Sequence, residues 1–371
     1  MSRKLSMRTL TDKQLSVFSK ELQVQQEPSK YAFNAPPNII CLYETDGDTL
    51  FIPFAYGKGY PRPARTDFPE RRVEFAGKLR EPQKEVKSEA IAILNEEGSV
   101  IIAAACGFGK TSIAIYLACK LRMKTLILCH RVVLINQWKE AIAKFCPKAT
   151  CQVLSGTSKL QDVDFYIVNA INVPKHDRKF YSGIGFLIAD EMHIIMADKL
   201  SHCMRFVTPR YILGLSATPY RTDGLDILLD MYFGTRKIVR KLHRPHTVYR
   251  YNTGIKPEAK LNKMGKVDWN SVLQSQCSNN ERNEIIIRLI KYFSDRIFLV
   301  LCKRVEQANY LVKRLQEEKE DVTSLIGSNQ EFEYSSRILV GTVQKTGVGF
   351  DHPRLNSLIL ASDVEQYFVQ Y

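Results

Sequence analysis

Apolar residues follow two alternating rhythms along this chain. Over 84–97 they recur at helical spacing, with Val86, Ala90, Ile91 and Leu94 on one side. Residues 99–105 then form a short continuous apolar run, and 110–122 returns to helical spacing. The alternation continues with a strand at 124–129, a helix at 134–145, and strands at 165–168, 185–189 and 211–215. A second series starts near 279: helix 280–293, strand 297–302, helix 305–316, and strands 337–340 and 358–361. Apolar strands alternating with helices predict parallel sheets with helices on both faces. The expected fold class is therefore α/β, with two parallel-sheet lobes in tandem.

The first 75 residues break this rhythm and read as a small strand-containing accessory domain. Residues 23–37 are polar, with Pro and Ser; strands are expected at 38–43 and 49–55 around the turn Asp46-Gly47-Asp48. Residues 58–74 are basic and Pro-rich, as in a linker. The expected organisation is 1–75 accessory domain and linker, 76–235 first lobe, 236–278 basic linker and 279–371 second lobe. Between residues 236 and 266 there are ten Lys or Arg and one acidic residue, Glu258. Such a run is a solvated linker or a nucleic-acid-facing stripe, with the linker favoured.

Composition narrows the function classes. The 371 residues are 45% hydrophobic and 25% charged, ordinary for a globular protein. The net charge of +14 suits a polyanionic partner, because contacts to phosphates release counterions; it equally suits a well-solvated surface. Nine cysteines without a CxxC pair read as reduced thiols, not as a disulfide framework or a zinc site. The N-terminus lacks a signal-peptide core, and the apolar runs at 100–106 and 297–302 are too short to span a bilayer. A soluble, intracellular protein with no membrane contact is expected.

The run at 99–105 leads into Ala104-Ala105-Cys106-Gly107-Phe108-Gly109-Lys110-Thr111 and then a helix. This fits the phosphate loop GxxxxGK[ST], with Ala104 in place of the first Gly. Small residues let backbone N–H groups close around phosphate oxygens, and the helix start directs its positive end at the same anion. Lys110 would reach the β- and γ-phosphates of ATP, and the Thr111 hydroxyl would hold Mg²⁺. Downstream, the apolar strand at 185–189 ends in Asp190-Glu191-Met192-His193. An acid at the carboxyl edge of a parallel sheet falls beside the phosphate loop. Asp190 would hold Mg²⁺ through water, and Glu191 would orient or polarise the attacking water. A third segment, Ser216-Ala217-Thr218 before Pro219, puts small hydroxyl residues at a strand end, where they can link the acids to a moving part.

Phosphate loop, DExH box and Ser-Ala-Thr in this order resemble a superfamily-two helicase, whose lobes are RecA-like. Leu79-Arg80-Glu81-Pro82-Gln83 resembles the LRxxQ element ahead of the loop, which places Arg80 and Gln83 at the nucleotide, Gln83 on its adenine. Arg131 and Gln137-Trp138 resemble the first nucleic-acid-contact motif. The sequence GLSATPYRTDG at 214–224 resembles the branch containing the XPB helicase and type III restriction translocases. Within it, the poxvirus-type transcript-release helicase looks nearest. That match implies a viral source, a place in host cytoplasm or virion, and transcription machinery as a partner. The resemblance also places His193 among the catalytic residues.

In the second lobe, the segment with Lys303 and Arg304 resembles a motif that meets the nucleic-acid backbone. Residues 341–351 resemble motif five, with Thr342 and Lys345 toward a phosphate and Asp351 toward the nucleotide. Trp138 and Phe350 read as core aromatics, not stacking platforms. The end, VEQYFVQY, resembles the approach to motif six, with Gln370 as its Gln. The second lobe is therefore expected to be incomplete, without the arginines that reach the γ-phosphate, and this chain to hydrolyse ATP weakly. The resemblance implies a monomeric ATPase moving along DNA or RNA. A double-strand translocase that does not unwind, and a non-catalytic nucleotide- and nucleic-acid-binding scaffold, remain open.

Overall fold

The computed structural model describes residues 2–26, 38–196, 201–221, 224–241, 246–327, 331–346, 350, 352 and 354–362. They form two compact units, Met1–Arg244 and Pro245–Tyr371.

The first unit begins with two small antiparallel sheets. Strands β1 (Ser2–Ser6), β4 (Glu44–Asp46) and β5 (Thr49–Pro53) run in the order β1-β5-β4, and β2 (Gln23–Gln26) pairs with β3 (Asn38–Cys41). Helix α1 (Asp12–Glu21) lies between β1 and β2, started by a capping box of Thr11 and Gln14. The main sheet follows: β6 (Ser99–Ala104), β7 (Thr125–Cys129), β8 (Cys151–Leu154), β9 (Phe165–Asn169), β10 (Phe186–Asp190), β11 (Tyr211–Ser216) and β12 (Lys237–Arg240). Its order is β12-β6-β11-β10-β7-β9-β8, and every neighbouring pair is parallel. Helices α2 (Glu81–Glu97), α3 (Lys110–Leu121) and α4 (Val132–Phe145) connect or precede these strands.

Side chains alternate across a strand, so the sheet has two apolar faces to bury. Val100, Ile102, Ile127, Cys129 and Ile188 pack with α2, α3 and α4 in one core. Ile101, Ala103, Leu126, Leu128 and Ala189 belong to the other. That second core continues into Leu5, Phe18, Leu22, Ile40, Leu50, Ile52 and Phe54. The N-terminal residues are thus not a separate preface: they share the core on the sheet's other face with Met192, Ile195, Leu228, Leu229, Tyr232 and Phe233. Backbone bonds tie the layer down, with Ala55 N–H donating to Met231 O at 3.0 Å and Arg71 N–H to Arg122 O at 3.0 Å. Residues 58–74, expected as a linker, are packed as well. Arg62 Nη1 donates to Leu94 O at 3.0 Å, and Phe68 is buried in the α2–α4 core.

The segment expected as a basic linker from residue 236 also departs from expectation. Lys237–Arg240 is strand β12, the sheet edge beside β6, and Ile238 is fully buried. Arg236 and Arg240 form ion pairs with Glu96 and Glu89 of α2. In the second unit, β13 (Lys260–Leu261) and β14 (Val267–Asp268) make a short antiparallel hairpin, and helix Trp269–Ser278 follows. Four parallel strands form this unit's sheet: β15 (Phe298–Cys302), β16 (Val322–Leu325), β17 (Ile338–Thr342) and β18 (Ser357–Leu360), in the order β16-β17-β15-β18. Helices Asn280–Tyr292 and Val305–Glu317 pack on it through Ile286, Ile287, Ile290, Leu311 and Leu315. The architecture is α/β with two parallel sheets, as the rhythm of the chain predicts. Among the described residues no helix is long and apolar enough to cross a membrane.

Candidate active site

Strands β6, β10 and β11 end together at the carboxyl edge of the first sheet, and their loops carry the predicted residues. After β6, the chain turns through Ala105, Cys106, Gly107, Phe108 and Gly109 into α3. Gly107 and Gly109 both adopt left-handed backbone, with φ of 75° and 91°. A side chain at Gly109 would displace Gln83, because its Cβ would stand 2.2 Å from Gln83 Nε2. The loop is held from outside by the start of α2. Gln83 Nε2 donates to Phe108 O at 2.8 Å, while Gln83 Oε1 accepts from Arg80 N–H at 2.8 Å. Arg80 Nη2 donates to Gly107 O at 3.2 Å and also to Phe108 O. A trans peptide whose carbonyl is held on one side presents its N–H on the other, which leaves the Gly109 N–H directed away from Gln83. Gln83 is only 4% exposed, so in this arrangement its amide serves the loop. Lys110 closes the turn, with Nζ donating to Ala104 O at 2.8 Å. Thr111 sits in the first turn of α3, and Cys106 is exposed.

Asp190 is the last residue of β10, and Glu191 opens the turn after it. Glu191 is in left-handed backbone, φ 49° and ψ 54°, a strained setting for a residue with a side chain. Packing of the next residue holds the turn in place: Met192 is fully buried and fills the space where Gly214 of β11 has no side chain. Both acids are buried. Asp190 Oδ2 accepts from Trp138 Nε1 at 2.8 Å, and Oδ1 accepts from Glu191 N–H at 3.1 Å. Burial raises the Asp190 carboxyl above its usual range, against the opposing pulls of the indole N–H and Lys110. Burial, then the neighbouring Asp190 charge, raises Glu191 to about 7, while Lys110 and the Ala217 amide oppose it. A carboxyl that titrates near neutrality suits proton exchange with water.

His193 connects the acids to the third segment. Its Nδ1 lies 2.8 Å from Ser216 Oγ, and Ser216 Oγ accepts from Thr218 N–H at 3.0 Å. Burial, with His130, Arg221 and Lys110 nearby, lowers His193 to about 4, so the ring is neutral at pH 7. Arg221 Nη1 donates to His193 O at 2.6 Å and fixes the turn from below.

The structure therefore brings Arg80, Gln83, the loop from Ala104 to Thr111, Asp190, Glu191, His193, Ser216, Ala217 and Thr218 to one sheet edge. Arg131 caps the N-terminus of α4, and Gln137 lies on that helix. In the second unit, Lys303 and Arg304 come directly after β15, and Thr342 ends β17, with Cys302 and Thr342 in register. Thr342 is 5% exposed, and Lys345 N–H donates to its carbonyl at 2.8 Å. Asp351 and Gln370 lie outside the described residues. Trp138 is 1% exposed, in keeping with a core role, yet its N–H finds the acid of β10. Sequence reading missed that bond, and it missed His130. His130 comes directly after β7, both its ring nitrogens are buried without a hydrogen bond, and burial lowers it to about 4. The position of a His at the end of an apolar strand was its only signal.

Comparison with known proteins agrees with this geometry. The family model described as "Type III restriction enzyme, res subunit" matches residues 76–221. The helicase-family protein 161L of Invertebrate iridescent virus 6 is 42% identical over 367 residues, 91% of this chain and 83% of the relative. The helicase-family protein 055L of Frog virus 3 is 33% identical over 336 residues, 87% of this chain and 77% of the relative. The poxvirus-type placement gives way to these: transcript termination protein A18 of Yaba-like disease virus is 23% identical, over 76% of this chain and 66% of its own length. The chain belongs to the superfamily-two helicases, in the branch of XPB and the type III restriction res subunit.

Proposed function

We propose that this protein hydrolyses ATP and uses the energy to move along nucleic acid. The observation that carries the proposal is the convergence at the first sheet's carboxyl edge. A phosphate-loop lysine, two buried carboxylates and a hydrogen-bonded His–Ser link meet there, with Lys110 close enough to act on the charge of both acids. A buried acid pair next to one cation is costly unless a further cation or a polyphosphate joins it. Among the described residues no cluster of three or more His, Cys, Asp or Glu forms a metal cage. Mg²⁺ binds through one or two protein oxygens and substrate phosphates. Thr111 and Asp190 would hold it, and its chemistry is to neutralise charge on the phosphoryl oxygens.

Each residue then has a task. Lys110 and the N–H groups at the start of α3 bind the phosphate oxygens. Arg80 and Gln83 keep Ala105, Cys106, Gly107, Phe108 and Gly109 in the shape that binding needs. Glu191 orients the attacking water and takes its proton. His193, held by Ser216, passes a change at Glu191 to the segment Ser216-Ala217-Thr218. Arg131 and Gln137 in the first unit, and Lys303, Arg304, Thr342 and Lys345 in the second, bind the phosphate backbone. Contacts to phosphates carry no base information, so sequence preference is weak.

The test is steady-state Mg²⁺-dependent ATP hydrolysis with and without single-stranded DNA, duplex DNA and RNA. Stimulation by one of these, abolished in Lys110→Ala, is the expected result and names the track. Displacement of a strand from a tailed duplex separates an unwinding motor from a double-strand translocase. ATP bound but not hydrolysed on any track would replace the motor with a nucleotide-binding scaffold.

A further inference from the structure

Helix α4 presents one chemistry at its N-terminus and another at its middle. Arg131 caps its N-terminus, and Trp138, seven residues on and about 10 Å along the axis, reaches into the core. A buried indole needs one acceptor, and a backbone carbonyl is enough. Here the acceptor is Asp190 Oδ2, a carboxylate oxygen on another element, at 2.8 Å, with the ring 1% and the acid 8% exposed. The other oxygen, Oδ1, takes the Glu191 N–H. A carboxylate torsion is broad and two-fold, so an aspartate held by its own neighbour alone would still turn. The indole N–H supplies the second fixed point and selects one orientation.

We infer that Trp138 is a positioning residue: its N–H sets the orientation in which Asp190 meets the nucleotide-bound metal, and it ties that carboxylate to α4. The inference rests on the Mg²⁺–nucleotide reading of the site. Groups that hydrogen-bond a metal-ligating side chain typically change metal affinity by about 10- to 100-fold when removed. Trp138→Phe keeps an aromatic ring in the core, removes the N–H, and leaves a small void where the second ring of the indole stood.

The experiment is binding of a fluorescent ADP analogue, excited directly, at increasing Mg²⁺. Trp138→Phe should raise the Mg²⁺ concentration for half-maximal binding by roughly 10-fold or more, and leave binding in EDTA unchanged. A purely structural loss would weaken both alike. A second measurement uses the native residue. The chain has two tryptophans, and Trp269 is 71% exposed, so Trp269→Phe leaves Trp138 as the sole indole. Its emission should shift on adding Mg²⁺ with ADP and stay unchanged with ADP in EDTA. Parental Mg²⁺ dependence in Trp138→Phe would overturn the inference. If that variant does not fold, a silent Trp138 emission in the Trp269→Phe chain, under conditions where the analogue binds, overturns it. A parent chain that binds no nucleotide removes the reading of the site itself, an outcome distinct from either.

Discussion

Gly109→Ala is a severe test of how the phosphate loop is held. The new Cβ would lie 2.2 Å from Gln83 Nε2, 3.1 Å from Ser112 Oγ and 3.3 Å from Arg80 Nη2. The backbone at φ 91° adds its own penalty, about 1–2 kcal/mol for a residue with a Cβ. Moving Gln83 aside breaks its 2.8 Å bond to Phe108 O and leaves a buried amide unpaired, about 1–3 kcal/mol. Together the first unit should lose about 2–5 kcal/mol, a large share of the roughly 5–15 kcal/mol typical of a domain. Urea unfolding followed by Trp138 emission in a Trp269→Phe background reads this unit alone. The midpoint should fall without a change in slope. Gln83→Ala in the same chain removes the closest obstacle, so the double variant should lose clearly less than the sum of the two single changes. Additive losses, or an unchanged midpoint in Gly109→Ala, would refute the argument that α2 braces the loop.

The same kind of reasoning applies to four other positions. The folded Glu191 carboxyl, raised to about 7 from an ordinary 4.5, adds stability that is complete below 4.5 and lost as pH rises through 7. Glu191→Gln should therefore leave stability unchanged at pH 4.5 and raise it at pH 8, on the order of 3 kcal/mol, as read by thermal or urea unfolding without nucleotide. Ser216→Ala strips a partner from both His193 Nδ1 and Thr218 N–H; it should cost about 1–3 kcal/mol and lower the hydrolysis rate, while nucleotide affinity stays near the parent's. Phe54→Ala empties a fully buried site in the core shared by the N-terminal layer and the sheet; a loss of about 3–5 kcal/mol in the unfolding of the first unit is expected, whereas a detachable accessory domain would leave that transition in place. In the second unit, Gln307→Leu takes the donor from Asn283 Oδ1 and the acceptor from the Ser362 hydroxyl, while Ala361 O keeps its bond from Arg282; it should destabilise that unit by about 1–3 kcal/mol and leave nucleotide binding unaltered.

Much of this protein was legible in the chain itself, and the reason is local. Strands such as Ser99–Ala104 and Phe186–Asp190 are buried on both faces, so they appear as continuous apolar runs that no neighbour has to explain. The phosphate loop was legible because its glycines, lysine and threonine must be adjacent for one backbone turn to work. The acids were legible because a strand end delivers them. What escaped were features decided between elements distant in sequence. Strand β12 is short and charged, with Arg236 and Arg240 paired to α2, and only the presence of β6 beside it makes it a strand. The N-terminal layer looked separate because nothing in 1–75 says which surface it joins; a core that also holds Met192, Leu228, Leu229 and Phe233, far along the chain, decides that. The Trp138–Asp190 bond spans 52 positions, and His130 acquires its setting only when β7 lies next to β10. Local chemistry and periodicity depend on neighbours in sequence and can be read there. The bracing of the loop by Gln83, the orientation of Asp190 and the cover of the second sheet face depend on neighbours in space, and the folded chain alone supplies them.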